Sequence, residues 1–172
     1  STSGSVAFQR RVRRSILNHI KYPDSILLDS FKMIYRKWYS LSLYTDYSHE
    51  DLNDFRSFAG IIATLSGVLF VGNNSDRENY SYLESMKAEL IKDLDYFIAM
   101  QCKWLNDTDL LTRENSKDIL SLELHPLSFR FLFKNLRSRL QEIYDLDLSE
   151  CEQELNFVLL EQIIIILRTI LN

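Results

Sequence analysis

The stretch SHEDLNDFRSFAGIIATLSGVLFVG, residues 48–72, decides the fold. Ser48, followed three residues later by Asp51, predicts a helix N-cap, and the acidic residues after Ser48 lie where the helix dipole is positive. Residues 57–75 then carry no charge. A helix that begins at Ser48 and becomes wholly uncharged needs burial, so we interpret it as the central helix of an all-α protein.

Four small residues of this stretch fall on one side of the predicted helix at about 100° per residue. They are Gly60, Ala63, Thr64 and Gly67. Glycine inside a helix costs about 1 kcal/mol relative to alanine, so close packing has to offset it. We therefore assign these four residues a structural packing role, in which another segment approaches closely.

The composition indicates one helical domain spanning residues 1–172. Only 4 Gly and 2 Pro occur in 172 residues, which favours long helices with short connections. The net charge of −4 argues against a nucleic-acid partner. The last helix is apolar almost all round, which we interpret as the mark of a fragment of a much larger protein.

Hydrophobic periodicity predicts about seven antiparallel helices and no strand. The pattern favours an irregular helical solenoid segment or a compact helical bundle.

In the second helix the expected core stripe is Leu27, Phe31, Ile34, Trp38 and Leu41. The sixth is expected to bury Phe129, Leu132, Phe133, Leu136, Leu140 and Ile143. The predicted helices span residues 6–20, 24–44, 48–72, 81–104, 109–122, 126–143 and 149–172.

No pattern of residues indicates catalysis, a metal or a cofactor. His19, His49 and His125 have no partner at ligand spacing, so we interpret them as structural. Cys102 and Cys151 are isolated, which predicts neither zinc nor a disulfide and points to a cytoplasmic protein. The uncharged run at 58–72 is too short for a membrane span.

Two basic groups are candidate partner contacts. One comprises Arg10, Arg11, Arg13 and Arg14 near the N-terminus. The other comprises Arg130, Lys134 and Arg137, which share one helix side at spacings of four and three. The alternative interpretation of both groups is a solvated helix face, where long cationic side chains are common.

Three stretches resemble neurofibromin and the fungal Ira-type proteins, a family of Ras GTPase-activating proteins (GAPs). The first is NDFRSFAGIIATLSGV at residues 53–68, the second lies within residues 117–136, and the third is the Glu-Gln and isoleucine run within residues 158–171. The resemblance implies a HEAT- or armadillo-like helical region on the N-terminal side of the catalytic GAP domain.

GAP catalysis in that family uses an arginine finger and a Phe-Leu-Arg segment followed by Pro-Ala. Here residues 129–132 read Phe-Arg-Phe-Leu and follow Pro126, so Arg130 does not match the finger. The resemblance therefore implies a segment that is not an enzyme, within a parent that activates the GTPase of Ras.

Three hypotheses follow. The first is a non-catalytic scaffold segment that positions the GAP domain, contacts neighbouring helical segments or a second copy, and reaches Ras and membranes only through its parent. The second is a freestanding helical adaptor that binds an acidic protein or a membrane surface. The third is the catalytic GAP module itself, with a finger among Arg10–Arg14 or at Arg130.

Overall fold

Six α-helices make up most of the part of the chain that the structure describes. The structure is a computed structural model that describes residues 8, 11–12, 15, 23–44, 48–72, 80–144 and 150–172. The helices are α1 Ser25–Ser42, α2 His49–Leu65, α3 Tyr80–Lys103, α4 Leu110–Asp118, α5 Phe129–Tyr144 and α6 Glu150–Leu171.

The predicted all-α class is confirmed, with six helices in these residues instead of about seven. The first predicted helix, residues 6–20, lies almost entirely outside the described residues. Within the described part of the chain, no helix is both long enough and apolar enough to cross a membrane.

Side-chain caps fix where the helices begin. The Ser48 hydroxyl accepts a hydrogen bond from the Asp51 N–H (3.1 Å), and the Asp51 carboxylate accepts one from the Ser48 N–H (3.3 Å). The two bonds form a reciprocal capping box, which confirms the N-cap that the spacing predicted at Ser48. Asp24 and Asp109 cap α1 and α4 in the same manner through a single side-chain acceptor.

The chain divides into two compact units, residues 1–94 with 125–127 and residues 95–124 with 128–172. In the first unit α1 packs against α2. The indole of Trp38 stacks on the ring of Phe55, with 6.1 Å between centroids and 16° between planes. The buried stripe of α1 is Leu28, Phe31, Tyr35 and Trp38.

This stripe differs from the expected one at three of its five positions, and Leu41 is one of them, since it is only partly covered. Leu28 and Tyr35 are buried where Leu27 and Ile34 were predicted to be, and those two residues are only partly covered. Leu27 and Leu28 are apolar neighbours in sequence, and so are Ile34 and Tyr35. Periodicity alone therefore does not decide between two possible buried stripes that are about 100° apart on the helix. The aromatic partners on α1 and α2 decide which side faces inward.

The first part of α3 completes the first unit. It buries Leu83, Met86, Leu90 and Leu94 at helical spacing. Lys87 is buried on the same helix, and its Nζ donates a hydrogen bond to the Val71 carbonyl at 2.7 Å. Its charge is also 3.4 Å from Glu84, so the buried cation has both an acceptor and a counter-charge.

In the second unit α6 packs on two short turns, a 3₁₀ turn at Trp104–Asn106 and a π-helical turn at Ile119–Glu123. The π turn is closed by the Leu124 N–H, which donates to the Ile119 carbonyl at 2.9 Å. Sequence periodicity predicted one continuous helix there. The core of this unit comprises Phe97, Ile98, Cys102, Leu105, Ile119, Leu120, Leu124, Leu132, Leu136, Leu159, Ile163 and Ile166.

Candidate contact surface

The outward side of α5 carries one of the two predicted basic groups. Arg130, Lys134 and Arg137 are all exposed and lie on one helix side, because residues four and three apart are neighbours on a helix. The helix buries Leu132 and Leu136 opposite them. We define the α5 stripe as the exposed residues Arg130, Phe133, Lys134, Arg137, Gln141 and Tyr144, which include three cations and no anion.

Lys134 is partly neutralised by α3. Its Nζ lies 2.5 Å from Oδ2 of Asp95, and the other oxygen of that carboxylate accepts a hydrogen bond from Asn135 Nδ2 at 3.0 Å. The Asp95 carboxylate therefore has two donors from α5. This arrangement fixes the orientation of Lys134 and leaves less of its charge for a partner.

The two arginines of the stripe differ in their surroundings. The guanidinium of Arg130 lies over the ring of Phe131, 4.7 Å from its centroid. Arg137 is exposed and forms no ion pair with any residue that the structure describes. Arg137 is thus the side chain best placed to bind an external carboxylate or phosphate.

Aromatic rings extend the same stripe. Phe133 is 44% exposed and Tyr144 is 83% exposed. The prediction that Phe133 belongs to the core is wrong, because Leu132 and Leu136 fill that side of α5 and Phe133 lies to one edge, against Phe129 at 6.0 Å. Exposed rings beside cations are frequent in protein contact surfaces.

One cation of α5 that the sequence did not single out turns inward. Arg139 donates through Nη2 to Oδ1 of Asn106 at 3.0 Å and pairs with Glu142. Arg139 is nine residues after Arg130 and so lies on the opposite side of the helix, which could have been predicted from the sequence spacing. Arg139 therefore ties α5 to the 3₁₀ turn and is not free for a partner.

The N-terminal basic group is largely outside the described residues. Of Arg10, Arg11, Arg13 and Arg14, only Arg11 is described, and it is helical and exposed. Its role as a partner contact stays a prediction.

Cys102 and His125 occupy packing positions. Cys102 is fully buried, and desolvation raises the pKa of its thiol to about 12 although the nearby charge of Arg139 acts in the opposite direction. His125 donates its N–H to the Ala63 carbonyl (3.1 Å), and its Nδ1 accepts from the Leu127 N–H (3.2 Å). Burial lowers the pKa of His125. Among the described residues, no cluster of three or more His, Cys, Asp or Glu could hold a metal.

The four small residues that were assigned a packing role, Gly60, Ala63, Thr64 and Gly67, are all buried. Gly60, Ala63 and Thr64 lie in α2, and Gly67 lies in the 3₁₀ turn Ser66–Leu69 that follows it. The Thr64 hydroxyl donates to the Gly60 carbonyl at 2.8 Å, which satisfies it locally.

A shallow depression of about 340 Å³ lies along α1. Its lining residues are Asp29, Lys32, Met33, Arg36, Lys37 and Ser40. Lys32 donates to Glu89 of α3 at 2.9 Å, and this hydrogen bond is the main reason that the pKa of Glu89 is lowered. Because all lining residues belong to one helix, the depression is a charged surface feature and not an enclosed pocket.

Comparisons with known proteins give two close matches. The chain is 56% identical over 172 residues to the inhibitory regulator protein IRA2 of Saccharomyces cerevisiae and 49% identical over 181 aligned positions to IRA1 of the same yeast. These alignments cover 100% and 95% of this chain. The predicted resemblance to the fungal Ira-type proteins is confirmed.

The chain spans only 6% of the length of each of these relatives. No family model matches the chain. No solved structure matches it either.

Proposed function

On the premise that this chain is homologous, over essentially its whole length, to one segment of the IRA-type inhibitory regulators, we propose that it is a non-catalytic helical segment of a Ras GTPase-activating protein. In this role it belongs to a negative regulator of Ras signalling. It positions the GAP domain of its parent and provides surfaces for protein contacts. The identity to IRA2 and IRA1 is the observation that carries the proposal.

The surroundings of the arginines support a contact role rather than catalysis. Arg130 lies in the first turn of α5 with its guanidinium over Phe131, whereas an arginine finger must extend into the nucleotide site of Ras. Arg139 is held by Asn106 and Glu142. The catalytic arginine is therefore assigned to another part of the parent.

The partners that fit this role are neighbouring helical segments of the same polypeptide, a second copy, and Ras through the GAP domain of the parent. A HEAT- or armadillo-like arrangement of the parent would use such helix-to-helix contacts repeatedly. We assign the parent to the cytoplasm, with membrane contact only through its other parts.

A chimeric parent tests the proposal. The matching segment of yeast IRA2 is replaced by this chain, and the fraction of GTP-bound Ras is measured in cells that lack the natural regulators. We expect the chimera to keep Ras in its GDP-bound form, and a chimera whose segment is unfolded by Trp38→Asp to lose that activity. Trp38 is fully buried, so the charged residue has no solvated position.

The isolated chain provides the complementary test. Added to Ras bound to GTP, it should leave the intrinsic hydrolysis rate unchanged, with a purified GAP domain as the positive control. Stimulation of hydrolysis by the isolated chain, lost on Arg130→Ala, would instead identify the chain as the catalytic module.

The α5 stripe favours a second candidate function, a helical adaptor for an acidic protein or membrane surface. Its three cations and two exposed rings are matched to an anionic partner. Binding should then fall steeply with ionic strength and be lost on Arg137→Glu, with Ser138→Glu as a control on the same helix. Binding that ignores both salt and Arg137 would contradict the adaptor function.

A further inference from the structure

A glutamine lies fully buried in the interior of the second unit. Gln101 is on α3, one turn before the 3₁₀ turn Trp104–Asn106, and none of its surface is exposed. Its Oε1 and Nε2 atoms have no hydrogen-bond partner among the residues that the structure describes. An amide that is buried without hydrogen bonds destabilises a protein, so these two atoms require a partner of another kind.

Two other helices of the same unit carry side chains of this kind. Ser116 lies on α4 and Gln162 lies on α6, and both are buried. Within the described part of the chain, Ser116 Oγ and Gln162 Oε1 also have no hydrogen-bond partner. Both helices contact the turn Trp104–Asn106, which directly follows the end of α3. The three side chains therefore belong to helices that meet at one turn.

The chemistry of the three side chains matches water. The Gln101 amide offers two donor hydrogens and an acceptor oxygen, the Ser116 hydroxyl can donate and accept, and Gln162 Oε1 accepts. A buried water molecule forms about three hydrogen bonds to polar groups that the protein leaves unpaired. An ion is a poorer match, because all three groups are neutral and its charge would be buried without a counter-charge.

We propose that internal water binds Gln101 and bridges it to Ser116 of α4 and Gln162 of α6. Such a bridge supplies hydrogen bonds to the buried amide without direct contact between the three side chains. It connects three helices of the second unit through one polar centre. The inference does not rest on the proposed function, and its failure would leave the Ras chimera assay unaffected.

The bridge gives α6 a fixed rotation about its axis. Gln162 is the one polar side chain that α6 buries, among the residues whose burial the structure describes. Apolar packing distinguishes weakly between neighbours such as Ile163 and Ile164, whereas a rotation of about 100° would move Gln162 away from the water. Buried polar residues select one arrangement of packed helices in the same manner. The bridge therefore specifies which side of α6 faces inward.

A crystal structure of the 172-residue chain tests the bridge without any substitution. We expect ordered water within about 3.2 Å of Gln101 Oε1 or Nε2, with further hydrogen bonds that lead to Ser116 Oγ and Gln162 Oε1. A direct hydrogen bond between Gln101 and either side chain, or a well-ordered interior with no water at Gln101, would overturn the proposal.

The sign of one substitution tests the same point in solution. Methionine has nearly the shape of glutamine but lacks its hydrogen-bonding atoms. Gln101→Met should raise the unfolding equilibrium constant about tenfold, because the bonds to water are lost. An amide without water would be unfavourable in the native chain, so an unchanged or lower constant contradicts the proposal. Gln153→Met, at an exposed position of α6, is the matched control and should have little effect.

Double-mutant cycles test whether the water is shared. Gln162→Met should raise the unfolding constant by a smaller factor in the Gln101→Met background than in the native chain, because the bridge is already lost. Ser116→Ala should show the same coupling to Gln101→Met, whereas Gln153→Met should be additive with it. Additive effects for either Gln162 or Ser116 would show that the water at Gln101 does not bridge the three helices.

Discussion

The imidazole ring of His125 lies directly over the backbone of Gly67. A Cβ built on Gly67 would be 2.5 Å from Cγ and Nδ1 of His125, closer than such atoms approach in proteins. The ring is held there by the hydrogen bonds of its own residue to Ala63 and Leu127. The missing side chain at Gly67 therefore creates the space into which His125 packs.

Gly67→Ala should destabilise the chain by about 1 to 3 kcal/mol, because the added methyl displaces a ring that has little freedom to move. The loss exceeds the gain of about 0.4 to 1 kcal/mol that a glycine-to-alanine change brings at an unstrained site. Urea denaturation measures the difference. Gly72→Ala is the matched control, since a Cβ there meets no atom within 4 Å.

The pair can be tested by a double-mutant cycle. Gly67→Ala in a His125→Ala background should cost clearly less than in the native chain, because the clashing ring is gone. Equal costs in the two backgrounds would show that the glycine is required for another reason.

His125 should make stability depend on pH. Burial lowers its folded pKa below the ordinary 6.5, so the unfolded chain binds the proton first as the pH falls. The free energy of unfolding therefore decreases from about pH 6.5 downwards until the folded pKa is reached. His125→Gln should flatten this part of the curve.

The comparison with His125→Gln isolates the imidazole from the carboxylates. Burial raises the pKa of Asp93 above its unfolded value of 3.8. As the pH falls, the folded chain therefore takes up this proton before the unfolded chain does, which stabilises the fold and opposes the effect of His125. That contribution is the same in both chains and cancels in the difference. An identical pH profile for the two chains would count against the packing assigned to His125.

Local features of the fold could be predicted from the sequence, and features that depend on distant neighbours could not. Ser48 and Asp51 are three residues apart, so their capping box follows from spacing alone. The buried side of α1 depends on the stacking of Trp38 on Phe55, which are distant in sequence. Periodicity therefore identified the helix but did not identify which side of it is buried.

The candidate surfaces follow the same rule. The common side of Arg130, Lys134 and Arg137 is helical geometry and was predictable. The pairing of Lys134 with Asp95 of α3, 39 residues away, was not. Likewise α6 is apolar almost all round, so only its packing distinguishes the buried Ile163 from the exposed Ile164.

Lys87→Met should destabilise the first unit by about 1 to 3 kcal/mol. Methionine fills the space of the buried stem but cannot donate to the Val71 carbonyl or balance the charge of Glu84. Thermal unfolding monitored by circular dichroism measures the change. Lys92→Met, on the exposed side of the same helix, should shift the melting temperature little, and equal shifts for both variants would contradict the role assigned to Lys87.

Cys102 should resist alkylation while the chain is folded. Its thiol is fully buried and its pKa is about 12, so roughly one molecule in ten thousand carries the reactive thiolate at pH 8. In a Cys151→Ser background, labelling with iodoacetamide should become fast only in denaturant, at concentrations that unfold the chain. Ser138→Cys adds an exposed thiol on α5 as the control and should be labelled at once. Rapid labelling of Cys102 in buffer would mean that the second unit opens locally around α3, well below its unfolding transition.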